Sequence, residues 1–179
     1  MGDIPKLRRQ HLLHLLAYGL LACGTQVWAN THLSEAEVKA GFIYNFTKFI
    51  TWPASNDAHT LRICSQGNSP LAGKLHLLEG RATQGRTIQI DTATTDWRNC
   101  HVLYFEATAP ATISATLTQL AQAPVLTISD QPDFIQLGGM IGLTTVADHV
   151  RFSINLGALQ QAGLQVGSQL LTLAQKVIP

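Results

Sequence analysis

Beyond residue 29, two cysteines, five histidines and one polar strand-to-helix turn are the residues with the most chemistry to offer. Cys64 and Cys100 stand 36 positions apart, and His32, His59, His76, His101 and His149 are scattered between them and around them. These five histidines show no H-E-x-x-H or other close pairing, so a zinc site would need distant ligands with no support from spacing. G-x-S-x-G, G-x-G-x-x-G and Walker patterns are also missing, which removes the local signatures of a hydrolase nucleophile, a dinucleotide site and a phosphate loop. Cys64 and His101 would form a thiol-imidazole pair only if the thiol stayed free. The expectation is a chain with no catalytic residue, no metal and no cofactor.

The turn Ser65-Gln66-Gly67-Asn68-Ser69-Pro70 is the best place for a small ligand. It follows a strand and feeds a helix whose first N–H groups are free to attract an anion. Ser65, Gly67, Asn68 and Ser69 would make the contacts. An ordinary capped turn has the same features and is the competing reading. Glu106 and Asp130 follow neighbouring strands and would share the same rim.

Elements must position these groups, and the chain first has to reach its compartment. Lys6, Arg8 and Arg9 precede an apolar run from Leu12 to Cys23 that is short for a bilayer span of ~20 residues, and Val27-Trp28-Ala29 offers small residues at the cleavage positions. These features predict a signal peptide over 1–29, cleavage after Ala29 and export to the periplasm. Leu20-Leu21-Ala22-Cys23 loosely resembles a lipobox, so a lipoprotein acylated at Cys23 is the weaker alternative.

Three of the 12 Lys and Arg and one of the 11 Asp and Glu lie in the first 29 residues, leaving nine against ten in residues 30–179. That balance, without a basic stripe, argues against nucleic acid as a partner. One domain is expected, from 30 to 179. In an oxidising compartment the Cys64 and Cys100 pair is read first as a disulfide, with two buried thiols as the alternative.

Ser34 and Glu37 form a capping box, which predicts a helix running to Trp52, ahead of Pro53. At helical spacing Val38, Phe42, Phe46, Phe49 and Ile50 share one arc, expected to face the core. Ala40, Gly41, Tyr44 and Lys48 share the other with Glu37, and this low, mixed face is the candidate for partner binding. Strands are expected at 61–64, 86–90, 102–106, 124–128, 141–146 and 150–154, with helices at 70–78, 110–121, 156–163 and 169–177 between and after them. Strands alternating with helices predict an α/β fold. It is a three-layer sandwich with a mainly parallel, Rossmann-like central sheet of about six strands, a late antiparallel hairpin and helices on both faces.

Four blocks carry a resemblance. They are Val38 to Pro53, Leu61 to Cys64, Asn99 to Phe105, and Gly138 to Leu143 continuing through Arg151 to Leu156 and Ser168 to Leu171. Together they resemble the YfiR family of periplasmic proteins over nearly the whole chain after residue 29. The resemblance implies a compact α/β domain, often a homodimer, that binds the periplasmic part of an inner-membrane diguanylate cyclase and holds it inactive, limiting cyclic-di-GMP and biofilm formation. It implies no catalysis. It further suggests that Cys64 and Cys100 correspond to a cysteine pair tied to redox control, whereas a second pair found towards the C-terminus of some members is missing here. In a simple parallel register Cys64 ends one strand and Cys100 precedes another, which would set them at opposite ends of the sheet, while bridged Cα atoms must lie within ~7 Å.

Overall fold

The computed structural model describes residues 33–54, 59–66, 69–106 and 108–179. The expected signal peptide, its cleavage point, Cys23, Gly67 and Asn68 lie outside the described residues.

Helix α1 covers Glu35–Phe49. Its start is the expected capping box: the Ser34 hydroxyl accepts the Glu37 N–H at 3.3 Å, and the Glu37 carboxylate accepts the Ser34 N–H at 2.8 Å. Its end comes three residues before Trp52. Ile50 is already extended, and Ile50–Thr51 (β1) pairs antiparallel with Gln165–Val166 (β9) to make a small separate sheet.

The main sheet has eight strands rather than six. They are β2 (Thr60–Gln66), β3 (Ala82–Thr83), β4 (Arg86–Asp91), β5 (Val102–Phe105), β6 (Leu126–Ser129), β7 (Ile141–Val146), β8 (His149–Asn155) and β10 (Lys176–Ile178). Their order is β10-β8-β7-β6-β5-β2-β4-β3, with antiparallel pairing only at β7 with β8 and at β3 with β4. Helices α2 (Pro70–Leu75), α3 (Pro110–Gln119), α4 (Leu156–Gln161) and α5 (Ser168–Leu173) connect them. The final helix is shorter than the sequence suggests, because Lys176–Ile178 leaves it to pair parallel with β8.

Two apolar clusters fill the spaces above and below the sheet, as a three-layer α/β sandwich requires. On one face α1, with Ile43 and Phe46, and α2, with Leu71 and Leu75, pack on Ile63, Tyr104, Ile128 and Phe152. On the other, Ile113 of α3 packs with Cys64, Leu103, Phe105, Val125 and Phe134. The β7–β8 hairpin closes through Ala147 and Asp148, both at positive φ (47° and 62°), the two-residue turn whose twist matches the strands. Before β7, Gly138 has φ 97°, and a Cβ at Gly139 would collide with the Phe134 ring. Those two glycines therefore seat Phe134 against Phe105, with ring centroids 5.6 Å apart.

The expected disulfide is present: Cys64 and Cys100 are bonded, with Cα atoms 5.9 Å apart. Opposite sheet ends would follow if Cys64 ended its strand, but β2 continues past it to Gln66 with Ile63 opposite Val102. The 3₁₀ turn Trp97–Asn99 then leads Cys100 in ahead of β5, and both cysteines belong to the same apolar cluster.

Candidate functional site

The chain order of the parallel strands creates a crevice. From β2 the chain crosses through α2 to β4 on one side; it then returns past β2 to β5 and crosses through α3 to β6 on the other side. Helix α2 packs on one face of the sheet and α3 on the opposite face. At such a reversal the connections leaving adjacent strands diverge, and the space outside the carboxyl ends of those strands is where open α/β sheets hold ligands.

A cavity of about 300 Å³ lies at that point, lined by Glu35, Lys39, Ser69, Leu71, Tyr104, Glu106 and Asp130 among others. Each wall has a local cause. Tyr104 and Glu106 come from the end of β5, and Asp130 from the residue after β6. Ser69 and Leu71 sit at the start of α2, where the Ser69 hydroxyl accepts the N–H groups of Leu71 and Ala72 at 3.2 and 3.3 Å. The first turns of α1 supply Glu35 and Lys39.

The charges are arranged unequally. The Lys39 ammonium is 2.6 Å from Glu35 Oε1 and 2.6 Å from Asp130 Oδ2. Burial pulls its pKa down, but the bonds to Asp130 and Glu35 more than reverse this, so the net shift is upward. Glu35 is held below the ordinary carboxylate range, first by Lys39 and then by the Thr145 hydroxyl. Tyr104 is pushed up, first by burial and then by Asp130 and Glu106, so its hydroxyl stays protonated. Glu106 is 6% exposed and accepts the Ser65 hydroxyl at 2.9 Å.

The sequence-derived ligand residues therefore divide. Ser65 is fully buried and spends its hydroxyl on Glu106, and Ser69 caps α2; both sit at the crevice end of β2. The sequence placed Glu106 and Asp130 on this rim, but Lys39, which reaches Asp130 across 91 positions, gave no signal in it.

The partner face needs a larger correction. Ala40 is only 3% exposed, within the core, so its side chain offers nothing to a partner. The buried stripe of α1 is Lys39, Ala40, Ile43, Phe46 and Thr47, while Phe42 and Phe49 are half-buried. Polar residues sit on the buried side because they have partners there: Thr47 donates to the Tyr44 carbonyl at 2.7 Å and lies 3.0 Å from the Thr83 hydroxyl. Tyr44 is itself half-buried. Its hydroxyl donates to the Ala82 carbonyl at 3.1 Å, and its ring lies under Lys48 and Arg81. Gly41 faces open space and Lys48 is exposed.

A pH prediction arises from the cap of this helix. The Ser34 N–H, then Lys74, then the Ser34 hydroxyl hold Glu37 down to about 2, from 4.5. A depressed carboxylate contributes its stability above its unfolded pKa and loses it as pH falls through the folded value. Acid unfolding followed by circular dichroism should therefore lose a contribution between pH 4.5 and about 2. Glu37→Gln should remove that contribution at neutral pH and flatten the curve in the same window. An unchanged curve would contradict it.

The blocks that form α1, β2, β5 and the β7–β8 hairpin fall inside a single family match, to the YfiR/HmsC-like pattern, spanning residues 36–175. The chain belongs to the YfiR/HmsC-like family. A solved structure of similar fold is the crystal structure of a conserved domain protein from Vibrio cholerae O1 biovar El Tor strain N16961, with a TM-score of 0.53 at 13% identity. The match covers 81% of this chain and 60% of that one, so this chain spans less than two thirds of its length, and the likeness is one of fold. Among the described residues no helix is long and apolar enough to cross a membrane.

Proposed function

We propose that this protein is a periplasmic repressor that contacts the periplasmic part of an inner-membrane diguanylate cyclase, holds it inactive, and so lowers cyclic-di-GMP and biofilm formation. The observation that carries this reading is the family match, which runs through residues 36–175. Control by contact requires the repressor to bind the inactive form of the cyclase more tightly than the active form. Release then activates the cyclase without any reaction by this chain. A homodimer is part of the same reading.

The outer side of α1 is the surface assigned to the partner, now through Gly41 and Lys48 with the edge of Tyr44. Gly41 supports a clean test, since a Cβ there meets nothing within 4 Å. Gly41→Arg should stabilise the free protein by up to about 1 kcal/mol, because glycine is a poor helix former. The same change should obstruct a partner seated on that face.

The test is co-expression with candidate cyclases, reading cyclic-di-GMP and co-purification. Wild-type protein should lower cyclic-di-GMP and retain the cyclase, and Gly41→Arg should do neither while melting at or above the wild-type temperature. If no cyclase is retained and cyclic-di-GMP is the same with and without the gene, the repressor reading fails. If the cyclase is retained equally by Gly41→Arg, the reading stands and the face is wrong.

A further inference from the structure

The crevice is acidic where the sequence suggested a site for anions. Glu35, Glu106 and Asp130 line it with one ammonium, Lys39, which is already shared between Glu35 and Asp130. Glu106 forms no ion pair among the described residues. It is 6% exposed and lines the cavity, and its Oε1 takes the Ser65 hydroxyl. The last residue of β2 brings an unmatched acceptor to this end of the sheet, the buried side-chain oxygen of Gln66. A carboxylate so deeply buried is costly unless a positive charge and hydrogen-bond donors accompany it.

We propose that this crevice binds a small organic cation, a protonated amine on a short apolar body, with Glu106 as its counter-ion. An ammonium group supplies a positive charge and up to three further donors, and no acceptor to compete. A metal ion is the poorer fit, because no group of three His, Cys, Asp or Glu among the described residues is placed to hold one. Anions are repelled by three carboxylates facing one ammonium. Ala36, Pro70 and Leu71 form the apolar part of the lining. At about 300 Å³ the cavity matches the small end of ligand pockets, which run from roughly 300 to 1,000 Å³. The topological reversal between β2 and β5 independently marks the same place.

The proposal is separate from the repressor reading, and a cyclase that escapes control would leave it standing. Its test is an amide-resonance titration of the full chain with benzylamine and with benzyl alcohol, its uncharged counterpart of the same shape. Benzylamine should give saturable shifts at Glu35 to Lys39, Ser69 to Leu71, Glu106 and Asp130, and benzyl alcohol should give none. Glu106→Gln keeps an oxygen for the Ser65 hydroxyl but removes the charge, and should weaken benzylamine binding by about tenfold or more. Asp96→Asn, ahead of the amino end of β5 and so at the opposite end of that strand from Glu106, should not. The proposal is overturned by equal responses to amine and alcohol, by no saturable response to either, or by undiminished binding in Glu106→Gln. Should that variant not fold, the comparison of amine with alcohol on the wild-type chain decides.

Discussion

Phe46→Ala should lower the unfolding free energy by about 3–5 kcal/mol, among the largest losses available from one side chain in this fold. Phe46 is 1% exposed. Its ring meets Phe152 of β8 edge-on at 5.1 Å between centroids and Phe42 at 6.1 Å, so truncation removes buried area and two aromatic contacts together. The helix is locked by its cap at one end and by β1 at the other, so the hole cannot be closed by a small shift of α1. A loss of this size is comparable with the whole stability of many domains, about 5–15 kcal/mol. Urea unfolding at unchanged slope measures it, with a fall in melting temperature of roughly 10 °C as the companion reading. A loss below about 1 kcal/mol would mean that α1 is not anchored through Phe46.

Phe46 also marks how far the sequence could be read. Local signals worked: the Ser34 and Glu37 box, Pro70 behind Ser69, and the alternating runs of the late hairpin all appear within a residue or two of where the pattern sets them. Each of these is decided by neighbours in sequence. The two faces of α1 were harder, because a polar residue on a helix is read as solvent-facing unless its distant partner is known. Lys39 is buried by Asp130, 91 positions away, and Thr47 by Thr83, 36 positions away. Those two pairings rotate the buried stripe onto Ala40 and Ile43, taking Ala40 out of the partner face.

The crevice was half legible for the same reason. A strand-to-helix turn announces a ligand position, and the sequence placed Ser65, Ser69, Glu106 and Asp130 there. The sign of the site is a property of the assembled residues. Only when β5 and β6 stand beside β2 do their terminal carboxylates converge, and only when α1 lies across them is the single ammonium seen to be spent. Short strands such as β3 and β10 lacked a signal because two or three residues carry no periodicity, and they form by pairing with an edge already built.

The double variant Cys64→Ala with Cys100→Ala should lose about 2–4 kcal/mol and keep the native fold. The bond closes a loop of 36 positions, for which the loop-entropy estimate is about 4 kcal/mol, and that restriction acts on the unfolded chain. The native register does not depend on it, because the β2 and β5 ladder is parallel from Ile63 opposite Val102 to Gln66 opposite Phe105. Ser65 and Glu106 should therefore stay paired, and benzylamine should still bind if Glu106 is its counter-ion. Both sulfurs sit in the apolar cluster below the sheet, with Cys64 fully buried and Cys100 4% exposed, so a reductant reaches the bond only when the chain opens. Native protein in dithiothreitol should keep its bond for far longer than protein in denaturant, with thiol alkylation followed by mass spectrometry as the readout. Rapid alkylation of both cysteines under native conditions would place the bond at the surface and contradict its packing against Leu103 and Phe105. A double variant as stable as the wild type would show that the loop from Ser65 to Asn99 is already constrained in the unfolded chain, by contacts that the disulfide only duplicates.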